Sequence, residues 1–373
     1  MSIEQKSLRV PDLDLLRFVA AAAVVLYHYV TCYLLPDSPA NSFVQVASVV
    51  TRYGYLGVDL FFIISGFVIL WSSLSRSAAD FVISRSARLF PSFWTGMALT
   101  ALFTFALRDH APLVEVAPLD ARTLAANATM LPVLFGAHMI DGVYWTLEIE
   151  IRFYAVIFLL LVLRQMKFID AWLWAWLACA ALGTQFELPW IVKYLTLQPY
   201  GPFFVAGCAF YLILARGVSV GRCAVVLCAC ALCLLESVQQ REQFITPDAI
   251  SGFVVPAVIV SYFAIFFLIA TRCTSGISSK VAYQLGALTY PLYLIHAVIG
   301  RLVYEVIKPH LGLAGSLAVM CVLAAALAYA IAATVDVRGR KAIDRLLRGL
   351  FSSAGLIAPA PASALPEKDA TVR

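Results

Sequence analysis

The sequence predicts an all-α, polytopic membrane protein with about ten transmembrane helices. Three observations carry that expectation. The 373-residue chain is 62% hydrophobic and only 13% charged, where a soluble domain is roughly 45–50% apolar and about 25% charged. Its mean hydropathy is +0.87. Apolar surface in that proportion cannot be hidden inside one aqueous globule, so lipid is the expected solvent. The apolar residues also fall into separate runs of near-crossing length, with cations gathered at alternate ends.

A crossing helix needs about 20 mainly apolar residues. Ten runs qualify: 12–34, 54–73, 90–108, 143–163, 170–185, 199–215, 222–237, 252–271, 283–303 and 313–335. The fifth and seventh are short. The first, Leu13 to Leu35, is too long for a signal-peptide core and is read as span 1. Residues 109–142 form the longest connection. Its apolar piece, Met130 to Phe135, is too short to cross and is expected to be a surface or re-entrant helix. The chain therefore divides into a cytoplasmic N-terminus (1–11), a ten-span membrane domain (12–335) and a basic segment with a disordered tail (336–373), the tail proper being 352–373. Nine Cys sit mostly in apolar runs, four of them (Cys223, Cys228, Cys230 and Cys233) in one. Lying in apolar runs with no His beside them to complete a zinc site, they read as small packing residues, and no metal is expected.

Orientation follows the cations. Of the 27 Lys and Arg, 18 lie on one side of the predicted spans, including Arg76, Arg85, Arg88, Arg164, Lys167, Arg216 and Arg222. Both termini are therefore expected in the cytoplasm, in keeping with an even number of spans.

Ionisable residues inside spans are costly and mark function by default. Arg17 and His28 in "LDLLRFVAAAAVVLYHYV" are eleven residues apart, three helical turns within about 20°, so they share a face about 16 Å apart along the axis. Arg17 lies near the cytoplasmic end and His28 in the outer half. Glu148 and Arg152 in "YWTLEIEIRFY" form a favourable i, i+4 pair, which leaves Glu150 on another face and in need of another partner. His296 ends "LTYPLYLIH", with Tyr293 one turn behind it and Pro291 breaking the backbone ladder. Asp59 stands in the otherwise apolar "GVDLFFIISGF". It is expected either beside a histidine, stabilising an imidazolium, or as a cap near Gly57 or a partner of Arg52. On these positions His28, Asp59, Glu150 and His296 share one outer level of the membrane. On the inner side Arg85 and Arg88 in "FVISRSARLFPSFW" precede span 3 and, with Arg17, make a cationic mouth suited to phosphates or to plain topological anchoring.

Five of these pieces, in this order, carry a family resemblance: Arg17-x10-His28, "GVDLFFIISGF", "SRSARLFP", "WTLEIEIRFY" and "LTYPLYLIH". Across residues 8–335 the chain resembles the integral-membrane acyltransferase-3 family, whose members O-acylate glycans and other acceptors. The resemblance implies an acyl-CoA co-substrate entering from the cytoplasm of a bacterial inner membrane, and a glycan or lipid-linked glycan acylated on the far side; the Ala, Val and other small side chains of span 1 make acetyl-CoA the default donor. It implies His28 as the catalytic histidine, Arg17 as its partner arginine, and Arg85 and Arg88 as contacts of the CoA phosphates. Glu150 matches the family acid, but the adjacent second acid is Ile151 here, and Thr289 stands where a Ser is common.

The expected mechanism binds phosphates at the inner arginines and threads the pantetheine arm up between spans 1, 2 and 3. His28 then acts as general base on an acceptor hydroxyl or as the acylated nucleophile. Asp59 or Glu150 stabilises the imidazolium, and Tyr293, Thr146 or His296 offers a donor to the oxyanion. The bilayer is a partner; nucleic acid is not. A proton-coupled transporter is the rival class, since carriers also use intramembrane His, Asp, Glu and Arg; no inverted repeat speaks for it.

Overall fold

The computed structural model describes residues 10–244, 251–274 and 279–357, and among them the secondary structure is helical throughout. Most of the expected tail, 358–373, and nearly all of the N-terminal 1–11 lie outside the described residues. The helices in chain order are α1 (Pro11–Leu26), which continues as a π-helical stretch (Tyr27–Leu34), α2 (Leu35–Asp37), α3 (Ser42–Thr51), α4 (Gly57–Ser73), α5 (Ala78–Leu107), α6 (Ala121–Ala128) and α7 (Trp145–Val162). After these come α8 (Ile169–Gly183), α9 (Trp190–Leu195), α10 (Gly201–Arg216), α11 (Val220–Phe244), α12 (Val254–Ala270), α13 (Ser279–Ile295), α14 (Ala297–Ile331) and α15 (Val337–Ser353).

Six helical stretches among the described residues are long and apolar enough to cross a membrane: Pro11–Asp37, Ser42–Ser73, Ala78–His110, Gln165–Gly183, Val220–Ser237 and Ala297–Ser353. Four of the ten expected crossings fall short of that measure. Helices α10, α12 and α13 have 16, 17 and 17 residues, and α7 carries Glu148, Glu150 and Arg152. Two expected boundaries are wrong for identifiable reasons. Span 3 does not begin at residue 90, beside Pro91. Pro91 lies inside a continuous 30-residue α5, whose start is set one turn upstream of Phe81 by Ser77, which accepts from the Asp80 N–H at 3.0 Å. Arg85 and Arg88 are thus on the helix, not ahead of it. The expected ninth span, 283–303, is cut at His296, where α13 ends and α14 begins.

The long connection holds α6 and a 3-10 turn at Pro132–Phe135 whose Val133, Leu134 and Phe135 are all more than half exposed. It lies on the outside of the helical body and does not form a helix long enough to cross. Cys208 and Cys233 are buried among apolar side chains.

Helices α4 and α10 are the central pair. They approach so closely that a Cβ on Gly66 would lie 2.1 Å from the Phe204 carbonyl oxygen, and one on Gly207 would lie 2.0 Å from that of Ile63. Small residues at a seam are how helices meet tightly where lipid supplies no hydrophobic drive between them. Helices α8, α11 and α12 pack against α10; α1 and α7 pack against α4, with α13 and α5 beyond them and α14 and α15 against α5. The α1–α4 contact is also glycine-tight: a Cβ on Gly57 would meet the Ala20 carbonyl oxygen at 2.6 Å, which explains the alanine run of span 1. Within α14 the ladder breaks again at Gly312, whose φ of 63° and ψ of −174° are open only to glycine at low cost. The functional side chains lie on the side of α4 away from α10.

Candidate active site

The site begins with two faults in helical geometry. At Tyr27 helix α1 loosens into a π-helical stretch, and His28 is its second residue. Such bulges are costly and recur at functional sites. Across from it, Pro291 removes an N–H from α13 and the chain breaks at His296. Freed backbone groups in lipid must find partners, and three of them here find side chains. The Tyr144 hydroxyl donates to Leu294 O (3.0 Å), the Tyr33 hydroxyl to Ala297 O (2.9 Å), and the Val298 N–H donates to Asp141 Oδ2 (3.1 Å). Asp141 also accepts from the Val143 N–H through Oδ1 (3.2 Å), so one fully buried carboxylate ties the start of α7 to the start of α14. Burial lifts that carboxyl to about 6, against the pull of its two N–H donors.

The break places His296 beside His28. His296 Nδ1 lies 2.7 Å from Tyr293 O, and its Nε2 lies 3.3 Å from His28 Nδ1. The rings meet edge to face, centroids 5.0 Å apart. His28 Nδ1 is also 2.9 Å from Val24 O. A carbonyl only accepts, so each Nδ1 carries the hydrogen. His296 Nε2 is then the acceptor for His28 Nδ1–H, and His28 Nε2 is left with a lone pair. Both His28 and Tyr293 line an outer cavity of about 490 Å³, together with Tyr27, Tyr33, Asp141 and Arg301.

Beneath it lies a narrow chamber of about 90 Å³ lined by Arg17, Arg85, Arg88, Glu150, Tyr154 and Thr289, among others, with Val58 and Tyr293 as walls common to both spaces. Five helices, α1, α4, α5, α7 and α13, enclose it. Arg17 donates to Asp14 (3.1 Å). Glu150 Oε1 accepts from the hydroxyls of Tyr154 (2.6 Å) and Ser65 (2.8 Å), with Arg17 and Arg85 as cationic neighbours. Arg85 and Arg88 face both this chamber and a third cavity of about 550 Å³ beside the first turns of α5, where α15 forms the other wall. Arg85 is nine-tenths buried and its Nε has no hydrogen-bond partner. Three spaces therefore run in series: arginine mouth, chamber, histidine cavity.

Arg17 and His28 open onto successive spaces of one series, as the three-turn spacing expects, and Glu148 holds Arg152 at 3.1 Å. Two expectations fail. Asp59 does not stand beside a histidine. Gly57 faces Ala20 of α1, and two residues further, about 200° around the helix, Asp59 points the other way, buried near Tyr200, Tyr262 and Cys233. Glu150 is not level with His28. Thr146, bonded to the Tyr293 hydroxyl at 2.8 Å, marks the histidine level, and Glu150 lies one turn below it, in the arginine chamber. Thr146 and Tyr293, expected as oxyanion donors, are engaged with each other and with Val143 O. His296 has both ring nitrogens occupied and orients its neighbour. Asp141 was missed; in "IDGVYW" an Asp before Gly at the start of an apolar run is an N-cap signal that could have found it.

The family model described as an acyltransferase domain matches residues 10–334. Among curated proteins the chain is 28% identical over 226 residues to nodulation protein 10 of Rhizobium leguminosarum bv. viciae, covering 56% of this chain and 58% of that one, so just over half of that relative's length is spanned. It is 25% identical over 329 residues to the acyltransferase MdmB of Streptomyces mycarofaciens, covering 82% of this chain and 83% of that protein. A 112-residue stretch is 36% identical to the exopolysaccharide production protein ExoZ of Rhizobium meliloti (strain 1021), covering 28% and 33% of the two chains. No solved structure matches. A family match across nearly the whole helical body, around a histidine poised between an arginine chamber and an outer cavity, leads to one conclusion: the chain is a multi-pass member of the acyltransferase-3 family of membrane acyltransferases.

Proposed function

We propose that this protein moves an acyl group, acetyl by default, from cytoplasmic acyl-CoA to a hydroxyl of an extracytoplasmic glycan or glycan-like acceptor, through ten crossings with both termini inside. The observation that carries the reading is the series of three spaces with shared walls, cationic at one end and ending at the bare Nε2 of His28. Arg85 and Arg88 hold the nucleotide phosphates, a task guanidinium forks suit. The pantetheine arm occupies the narrow chamber beside Tyr154 and Thr289. The thioester reaches the level of Tyr293.

His28 Nε2 takes the proton of the acceptor hydroxyl as that oxygen attacks the thioester carbon, and the CoA thiolate leaves. The imidazolium so formed keeps Nδ1–H shared between Val24 O and His296 Nε2, two acceptors fixed before the reaction starts. No carboxylate is needed for that charge. Glu150, with Tyr154 and Ser65, balances the arginine chamber instead. The outer cavity offers the hydroxyls, carboxylate and aromatic faces of Tyr27, Tyr33, Tyr55 and Asp141, a lining that suits a polyhydroxylated acceptor. Relatives whose printed names concern nodulation and exopolysaccharide production point the same way.

The test uses purified protein and acetyl-CoA, following release of the free thiol, beside mass spectrometry of surface glycans from cells with and without the gene. His28→Ala is expected to abolish both thiol release and the added acetyl mass while the protein still inserts. Unchanged glycan acetylation in that variant would overturn the reading.

A further inference from the structure

The cationic mouth is built partly from outside the family-matching region. That region ends at residue 334, and α15 begins at Val337. Helix α15 lies along the first half of α5. A Cβ on Gly339 would meet the Pro91 ring at 2.5 Å, so the helices touch backbone to ring there. Asp336 accepts from Ser92 (3.0 Å) and from Arg340 Nε (2.9 Å), and Arg348 bridges to Asp80 (2.9 Å) on α5. These contacts hold α15 over Arg85 and Arg88 rather than leaving it on the membrane surface.

The cavity between the two helices is lined by six cations (Arg76, Arg85, Arg88, Arg340, Lys341 and Arg348) against two carboxylates, Asp80 and Asp344. The carboxylates are used within the wall. Arg348 pairs with both, and Arg340 pairs with Asp336. No ion pair among the described residues involves Arg85, Arg88 or Lys341. Arg85 is nine-tenths buried, reaches only Ser84 through Nη2 (3.3 Å), and has an unpartnered Nε. Burying a guanidinium with donors unused is costly unless a ligand supplies acceptors. On its outer side α15 exposes Leu346 and Leu350, one turn apart, as an interfacial helix does. Its basic side faces the cavity.

We infer that α15 is the phosphate-binding wall of the donor mouth, with Lys341 taking the 3′-phosphomonoester of the CoA nucleotide while Arg85 and Arg88 take the pyrophosphate. This deepens, and rests on, the acyl-CoA reading above. A phosphomonoester brings about −1.5 to −2 charges at neutral pH, more than any single phosphodiester, and Lys341 is the unpaired cation on the wall opposite the buried arginines. A lipid headgroup offers related phosphate chemistry, so the test separates the two sources.

Binding of CoA and of 3′-dephospho-CoA is measured by calorimetry on full-length protein in nanodiscs, once in phosphatidylcholine and once with added phosphatidylglycerol. Wild type is expected to prefer CoA by about tenfold, the scale of one charge-assisted contact. Lys341→Gln, an exposed position that should not disturb folding, is expected to lose that preference with dephospho-CoA affinity unchanged, and Lys341→Arg to restore it. If Lys341→Gln keeps the preference, or alters only the response to phosphatidylglycerol, the inference is overturned while the acyl-CoA reading stands. If wild type binds neither nucleotide, both fall.

Discussion

His296→Ala tests the histidine pair most directly. In the resting site His28 Nδ1–H has two acceptors, Val24 O at 2.9 Å and His296 Nε2 at 3.3 Å. The carbonyl survives any side-chain change; the imidazole does not. A hydrogen bond to a charged group contributes about 1.5–3 kcal/mol, and the 3.3 Å contact is the longer of the two, so the low end applies. Because that bond strengthens when His28 becomes an imidazolium, the loss falls on the chemical step. A loss of about 1.5 kcal/mol lowers kcat roughly tenfold. The arginine mouth is untouched, so the donor KM stays near wild type. Truncating a fully buried ring also opens a cavity, and His296→Gln keeps most of the volume and one acceptor oxygen. It is expected to recover part of the rate. The assay is thiol release from acetyl-CoA by protein whose monodispersity and melting point are checked alongside. Two results would refute the reasoning. A loss as large as that of His28→Ala would make His296 a base in its own right, against the occupation of both its nitrogens. An unchanged kcat would leave the pair a packing contact.

Arg85→Ala with Arg88→Ala should raise the donor KM by about tenfold or more with a smaller effect on kcat; equal KM values would leave the two as topology anchors. Glu150→Gln, which keeps an acceptor for Tyr154 and Ser65 but removes the charge among the arginines, should lower acyl-CoA turnover without lowering nucleotide affinity; weaker CoA binding would contradict its role as a balance to those cations. Asp141→Ala strands two buried N–H groups, at about 1–3 kcal/mol each, and should lower the melting point markedly, whereas Asp141→Asn keeps one acceptor and should cost less. The Asp141 carboxyl also gives a pH dependence. Its folded value of about 6 lies above the ordinary 3.8, so the folded state holds the proton more tightly. That contribution to stability is fully present below about pH 3.8 and is lost as pH rises through 6. Asp141→Asn should remove this segment of the melting-point profile; an identical profile would show that the group does not titrate in that window.

The sequence was most informative where one helix suffices. The spacing of Arg17 and His28 and the pairing of Glu148 with Arg152 are properties of a single helix, and both are found. It was least informative where a partner helix decides. Nothing local says that Gly57 faces α1, and only that contact turns Asp59 toward Tyr200 and Tyr262 instead of toward His28. The His28–His296 contact joins residues 268 positions apart. Glu150 was misplaced by a single turn, because the depth at which α7 begins depends on where Asp141 fastens it. The start of span 3, set at 90 instead of at Ala78, was displaced for a different reason. A proline ends a helix in water, but a 30-residue helix braced by α15 absorbs it.

The glycine seam between α4 and α10 bears on how turnover is paced. With Gly66 and Gly207 each seated on a carbonyl of the other helix, these two rods cannot slide or rock without prising backbones apart. One side of the series of spaces is therefore braced by direct backbone contact between α4 and α10. On the proposed transfer, the acyl group would pass Phe61 and Tyr293, whose rings cross edge to face 5.7 Å apart. That passage would need those two rings to swing, while the α4–α10 seam beside them stays closed.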